Sequence, residues 1–263
     1  LKEVSKKYGT DRRTTIVSAA DVMTDVNTEE EIPDYQVKLF RTAEGYIKKI
    51  SLTALRTSGE QKLKEDDCII EEVETSNAGE VIFFGGCSAY KMKINDIPDG
   101  KASQLGEFIP NLVGMEEKED IIGMVLPGDY SAALLFCFEN GKCAKVPLAS
   151  YATKSNRRCL KGAYSDKSPT VGMFCLTEDT DIMLISSAEK VLCVNTEKIP
   201  LKTTRSTQGV AVMTLRRNAV VSRVCLAEDS GFAEPKKYRP RNIPAAGSAI
   251  KDADKGIEQM SFI

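Results

Sequence analysis

At 203–209 the chain reads TTRSTQG, and 47 residues earlier, at 156–162, it reads NRRCLKG. Each places an arginine four residues ahead of a glycine, Arg205 before Gly209 and Arg158 before Gly162. A guanidinium presents its donors as a planar fork that suits phosphate oxygens, and a glycine permits a positive φ or a close approach of backbone. The outline therefore suits gripping an anion rather than breaking a bond. Lysines recur in the same spirit: Lys49, Lys91 and Lys145 hold one place in successive hairpins, and Lys142 and Lys190 another. Arg157 and Lys161 flank Arg158, while Lys48, Arg56 and Lys93 add cations beside the hairpin set.

Other chemistries lack their residues. No histidine occurs in the 263 residues, which removes the commonest general base and the Ser-His and Cys-His nucleophile pairs. The eight cysteines form no CxxC pair, so a zinc site of ordinary spacing is not expected. LLFCF and VLCV place two of them in apolar runs, where a reduced thiol behaves as a small core residue. No Walker loop or GxGxxG is found, and KEDD and EEKED lack the alternation of a calcium loop. With 9 Phe, 8 Tyr and no Trp, base stacking of the single-strand kind is not favoured. The expectation is a domain without catalysis, cofactor or metal.

The charge is segregated along the chain. Residues 35–59 hold 5 Lys/Arg against 1 Asp/Glu, 60–129 hold 6 against 16, and 130–226 hold 14 against 7, although the net charge is only −2. A basic face on part of the surface attracts phosphate backbones through counterion release. No run of 18 apolar residues exists, so no membrane span is expected, and LKEVSKKYGTDRRTT does not read as a signal peptide. The chain opens on Leu1, as a piece of a longer protein would.

The elements that must position these cations repeat. Four times an apolar run, a short turn and a second run follow one another: YQVKLFRTAEGYIKKISL (35–52), EVIFFGGCSAYKMKI (80–94), SAALLFCFENGKCAKVPL (131–148) and DIMLISSAEKVLCVNTEKIP (181–200). Each reads as a β-hairpin, with Gly45 and Gly141 at two of the turns. Further apolar strands follow at IIGMV (121–125), VGMFCL (171–176) and AVVSRVCLA (219–227). Units of about 50 residues with about four strands suggest propeller blades. Helix is expected only at the start, where LKEVSKKYG ends at Gly9, and TTIVSAA and the tail near 236–246 are expected either to complete a fifth blade or merely to seal the ends. The Arg-xxx-Gly outline is expected at one fixed station of each unit, with Gly106 marking it in the second.

Several of these stretches resemble the A subunit of the bacterial type IIA topoisomerases, the DNA gyrase and topoisomerase IV family. YGTDRRTTIV is similar to the junction between that family's catalytic core and its C-terminal domain; IPDYQVKLFRTAEGYIKKISL, YKMKINDIPDGKASQLGEFIPNLVGMEEKEDIIGMV and IPLKTTRSTQGVAVMTL resemble its blades. The resemblance runs over roughly residues 8–228. It implies an all-β fold, the β-pinwheel, with four to six blades of strand-swapped four-stranded sheets and a short N-terminal helical remnant. The implied division is 1–13 for the end of the core's helix, 14–246 for the pinwheel and 247–263 for a tail. It also implies a non-catalytic domain whose rim binds and bends duplex DNA. The candidate contacts are then Lys48, Lys49, Arg56, Lys91, Lys93, Lys142, Lys145, Arg157, Arg158, Lys161, Lys190 and Arg205.

The same resemblance implies partners in the remaining domains of the topoisomerase chain and in its separate ATPase chain, a parent enzyme using ATP and Mg, a monomeric isolated domain and a bacterial cytoplasmic, nucleoid-associated location. One departure bears on the type. Gyrase carries a Gln-Arg-Arg-Gly-Gly-Lys-Gly heptad where this chain reads LRTSGEQKLKEDD (55–67), which favours topoisomerase IV-like relaxation and decatenation, or a divergent gyrase paralogue. The alternative is a propeller serving as a protein-interaction platform.

Overall fold

A computed structural model of the chain describes residues 4, 7–8, 33–115, 120–153, 158–251 and 254. Residues 1–33 and 34–263 form separate contact units. In the first, Val4, Lys7 and Tyr8 are helical, and TTIVSAA lies outside the described residues. The second contains the sixteen strands found among the described residues, numbered β1 to β16 in chain order.

The four hairpins stand where the turn and apolar signals place them. They are β1 (Gln36–Thr42) with β2 (Tyr46–Ser51), β4 (Glu80–Gly85) with β5 (Ser88–Lys93), β8 (Ala133–Phe138) with β9 (Lys142–Pro147), and β12 (Asp181–Ser186) with β13 (Lys190–Asn195). A third strand lies antiparallel to the first of each pair: β3 (Ile69–Ser76), β7 (Ile121–Val125), β11 (Thr170–Leu176) and β15 (Val221–Leu226). β3 is the one the apolar pattern does not reveal. Its sequence, IIEEVETS, is more than half glutamate and serine or threonine, because Ile70, Glu72 and Glu74 alternate outward.

The fourth strand of every sheet comes from later in the chain. β6 (Glu107–Phe108) follows the second hairpin yet pairs with β2, and β10 (Cys159–Lys161) follows the third yet pairs with β5. Likewise β14 (Val210–Ala211) pairs with β9 and β16 (Ser248–Ala249) with β13. The sheet orders are β3-β1-β2-β6, β10-β5-β4-β7, β11-β8-β9-β14 and β15-β12-β13-β16. This is a four-bladed, propeller-like arrangement with exchanged strands. It sits at the lower end of the four-to-six expectation.

Alternating side chains on each strand pack the sheets in series. Val37, Leu39 and Ile47 of the first sheet meet Val81 and Phe83 of the second. The opposite face of the second, through Ile82 and Phe84, meets Leu134, Phe136 and Phe138 of the third. Leu135 and Cys137 then meet Ile182 and Leu184 of the fourth. Each such fully buried large apolar side chain contributes about 1.5–3 kcal/mol. Rings reinforce the middle junction, where Phe84 lies edge-on to Phe136 and Tyr151 at centroid distances of 5.9 and 5.3 Å. β7 approaches β11, and β11 approaches β15, so the third strands of the last three sheets are neighbours.

The outer faces at the two ends are covered differently. On the first sheet Phe40 and Ile50 pack with Leu55 and Ala102. On the fourth, Met183, Ile185, Val191 and Cys193 lie under Phe232 and Tyr238 of the tail. The tail is clipped by the Tyr238 hydroxyl, which donates to Asp254 Oδ2 at 2.6 Å, and by Arg239, which pairs with Asp181. Of the two expectations for segment 236–246, sealing the end is the one observed: Tyr238 lies over the fourth sheet, and Ile243 and Ala245 pack at the junction of the third and fourth.

Helical signals are not confined to the start. Each hairpin is followed by a helical turn: α1 (Leu52–Leu55), then 3₁₀ turns at Ile94–Asp96, Leu148–Tyr151 and Thr196–Lys198. A second short helix, α2 (Ile109–Val113), has proline in its first turn and ends on Gly114 in the left-handed region. These four- and five-residue pieces are too short for a 3.6-residue periodicity to show. All eight cysteines are free: Cys137, Cys143 and Cys193 are buried, while Cys68 and Cys175 are exposed.

Candidate nucleic-acid interface

Four of the hairpin lysines, Lys48, Lys49, Lys91 and Lys145, turn inward. Lys49 has a side chain only 3% exposed, and its ammonium donates to Asn77 Oδ1 at 2.9 Å and the Ile94 carbonyl at 3.3 Å while pairing with Asp99 at 3.0 Å. Lys145 pairs with Asp179 and donates to the Thr196 carbonyl at 3.3 Å. Lys91 pairs with Glu80 at 2.8 Å and lies over the Tyr130 ring. Lys48 is also buried, donating to the Lys62 carbonyl and to Gln61. The ammonium groups of this set are enclosed by the protein's own oxygens. Alternation directs Lys49, Lys91 and Lys145 towards the next sheet, whatever their charge, while Lys48, one residue from Lys49, takes the opposite face and is enclosed by the 61–62 segment.

The electrostatics follow. Burial lowers the Lys48 pKa despite the nearby Asp67 carboxylate. Asp179 is held below its ordinary 3.8 by hydrogen bonds from Lys145 and Thr196. The Tyr35 hydroxyl, donating to Asp99 and partly desolvated, is pushed up to about 12.

The remaining described candidates point outward. Arg56, Lys93, Arg158, Lys161 and Lys190 are exposed, and Lys142 and Arg205 are half-buried. Arg157 lies outside the described residues. Two of the candidates are brought together. Lys161 and Arg205 line one cavity of about 530 Å³ with Gly162, Ser150, Thr203, Thr204 and Ser206. Arg205 is set in place there: its guanidinium stacks over the Tyr151 ring at 5.9 Å and donates to the Ser150 carbonyl at 3.2 Å. Tyr151 in turn donates to the Ala163 carbonyl at 2.6 Å, tying the loop after β10 to the helical turn after β9. The result is a cavity with two cations and four hydroxyls at the outer edge between the second and third sheets, a chemistry suited to phosphate oxygens.

Elsewhere the cations stand apart. Lys142 donates to Gln208 Oε1 at 2.9 Å beside the Arg205 loop. Lys190 lines a smaller recess of about 140 Å³ with Arg216, a residue that sequence reasoning passed over. Arg158, 81% exposed, lies 4.0 Å from Asp96. The hydroxyls were also missed, though the signal was in view: TTRST surrounds Arg205 with four of them.

The two Arg-xxx-Gly outlines are not one station. Ladder register makes Gly106, Gly209 and Gly247 equivalent, each just ahead of a borrowed strand. At the second sheet Leu160 pairs with Ala89, so the equivalent residue is Cys159, three before Gly162. An added Cβ at Gly209 would meet the Cys143 carbonyl oxygen at 1.9 Å, and at Gly106 the Ile47 oxygen at 2.4 Å. At Gly162 it would meet nothing within 4 Å. The outlines converge in space, through Gly162 and Arg205, without being structural repeats.

Among the described residues no grouping of three or more Cys, Asp or Glu side chains is placed to hold a metal ion, and no helix is long and apolar enough to cross a membrane.

No family model matches the chain. The A subunit of DNA topoisomerase 4 from Staphylococcus aureus is 24% identical over 206 residues, 76% of this chain and 26% of the relative. The chain thus spans about a quarter of the length of the curated relatives it matches. Among solved structures, the C-terminal domain of DNA topoisomerase IV superposes with a TM-score of 0.66 at 20% identity, covering 74% of this chain and 62% of that one. The E. coli ParC C-terminal domain gives 0.63 at 12% identity, covering 83% and 95%, and the DNA gyrase A C-terminal domain 0.52 at 17%, covering 81% and 76%. The chain is homologous to part of the A subunit of DNA topoisomerase 4 and has the β-pinwheel architecture of the topoisomerase IV and gyrase A C-terminal domains.

Proposed function

We propose that this chain is a duplex-DNA binding and bending domain from the A subunit of a type IIA topoisomerase. The observation that supports the reading best is the cavity in which Lys161 and Arg205 stand among four hydroxyls. Phosphate contacts of this kind carry no sequence information and hold a backbone in position. Bending a 20–30 base-pair site costs about 1–10 kcal/mol, which contacts distributed along an edge offset. The outward cations Arg56, Lys93, Lys142, Arg158, Lys161, Lys190 and Arg205 are the ones available for that purpose, with Arg216 added.

In this reading the domain has no chemistry or cofactor of its own. The DNA-cleaving tyrosine domain, the separate ATPase chain, ATP and Mg belong to the parent enzyme, acting in a bacterial cytoplasm on nucleoid DNA. The segment 55–67, without paired arginines or a double glycine, favours relaxation and decatenation over supercoiling.

A filter-binding titration of duplex DNA against salt tests the proposal. Log affinity is expected to fall steeply with log salt, with little sequence preference, and Lys161→Glu with Arg205→Glu is expected to weaken binding and flatten the slope. A flat slope for the unaltered chain would refute it and favour the protein-interaction platform.

A further inference from the structure

The repeated hairpin lysine has a destination as well as a place. Lys49 leaves β2 in the first sheet, and two of its partners, Asn77 and the Ile94 carbonyl, bracket the β4–β5 hairpin of the second. Lys145 leaves β9 in the third sheet, and its partners Asp179 and Thr196 bracket the β12–β13 hairpin of the fourth. Ile94 and Thr196 open the helical turns that follow those hairpins, so the two lysines grip the same point of the next sheet. Lys91, at the matching place in β5, lies over the ring of Tyr130, just ahead of β8 in the third sheet.

Register sets the matching place at three residues beyond the first residue of the second hairpin strand, and in β13 that residue is Cys193. No further sheet follows the fourth. There the cation is supplied from the other side, by Arg239 of the tail on Asp181, the first residue of β12, as Glu80 is the first residue of β4. A cation thus links each sheet to whatever covers its far face, and the hairpin lysine is absent only where the cover is the tail.

We infer that Lys49 and Lys145, with Lys91 between them, are positioning residues that fix the angle between successive sheets and so set the curvature of the edge along which a duplex would lie. The inference rests on the DNA reading above for its functional consequence. An ammonium held by a main-chain carbonyl and a carboxylate at once restrains direction as well as distance, which apolar packing alone does not. A bent duplex meets its contacts only if successive sheets keep their angle.

The 263-residue chain is compared with Lys49→Met, Lys145→Met, the double variant, Lys145→Arg and Asp179→Asn. Three readouts are taken: affinity for a duplex short enough to lie on one sheet junction, end-to-end energy transfer of a long duplex, and small-angle scattering without DNA. For the methionine variants, short-duplex affinity is expected within about twofold of the unaltered chain, since no phosphate-facing cation is removed. Long-duplex bending is expected to fall, the scattering to broaden, and Lys145→Arg to restore both. Folded methionine variants with unchanged bending and scattering would overturn the inference. If they do not fold, Asp179→Asn removes the charge pairing through a side chain 41% exposed, and the same two outcomes decide. Failure of the unaltered chain to bend DNA would refute the DNA reading alone, because the scattering still reports on the sheet angle.

Discussion

Gly209 and Gly162 close the same Arg-xxx-Gly outline, and replacing each by alanine separates what the outline says from what the fold imposes. Both have a positive φ, +70° and +65°, so each substitution carries the left-handed cost of about 1–2 kcal/mol. For Gly162 nothing else is added, since the new methyl faces open space. For Gly209 the methyl would sit 1.9 Å from the Cys143 carbonyl oxygen and 2.6 Å from the Ala144 Cα. These are backbone atoms of β9 and cannot rotate away. Relief requires β14 to lift, giving up its pairing of Val210 with Cys143 and Ala211 with Lys142. Two ladder bonds at about 1 kcal/mol each, with the left-handed cost, bring Gly209→Ala to about 3–4 kcal/mol, against about 1–2 for Gly162→Ala. In a domain of this size 1 kcal/mol moves Tm by about 2–4 °C, so thermal unfolding followed by circular dichroism should show a fall of about 6–16 °C for Gly209→Ala and about half that or less for Gly162→Ala. Equal shifts would refute the claim that only Gly209 stands at a point of backbone contact.

Lys49→Met is expected to destabilise by about 2–3 kcal/mol in urea unfolding, since it strands the Asn77 oxygen in the interior, whereas Lys190→Met on an exposed position should stay within about 0.5 kcal/mol. Asp179 has a folded pKa below its ordinary 3.8, so its contribution is present above that value and is lost as pH falls through the folded pKa; Asp179→Asn should flatten the acid limb of a stability–pH curve, and an unchanged limb would contradict the Lys145–Asp179 link. Phe232→Ala should cost about 3–5 kcal/mol and raise binding of a hydrophobic dye by uncovering Met183 and Ile185; no rise would mean that the tail is not their cover.

The four hairpins were legible because their apolar runs and turn glycines are local signals, each confined to about twenty residues or fewer. IIEEVETS at 69–76 was not, since its outward residues are acidic and its pairing with β1 is made by backbone. The exchange of fourth strands left a trace only in the resemblance. Two- and three-residue strands such as Glu107–Phe108 carry no periodicity, and their partners lie more than 50 residues away. Arg205 was found by its outline, yet the outline also suggested an equivalence with Arg158 that ladder register removes.

What the amino-acid sequence determined by itself was the repeat, the all-β class and the absence of histidine-based chemistry, because residue type and local spacing suffice for each. Which cations face outward was decided by tertiary structure alone. Lys48, Lys49, Lys91 and Lys145 read as a row of charge along the chain, but strand alternation and the stacking of one sheet on the next direct the last three to oxygens of the protein, and the 61–62 segment encloses Lys48 on the opposite face. Lys161 and Arg205, 44 residues apart, meet in one cavity because β10 and β14 are each lent to the preceding sheet. Proximity of that kind is set by which strand pairs with which, and no count of residues along the chain contains it.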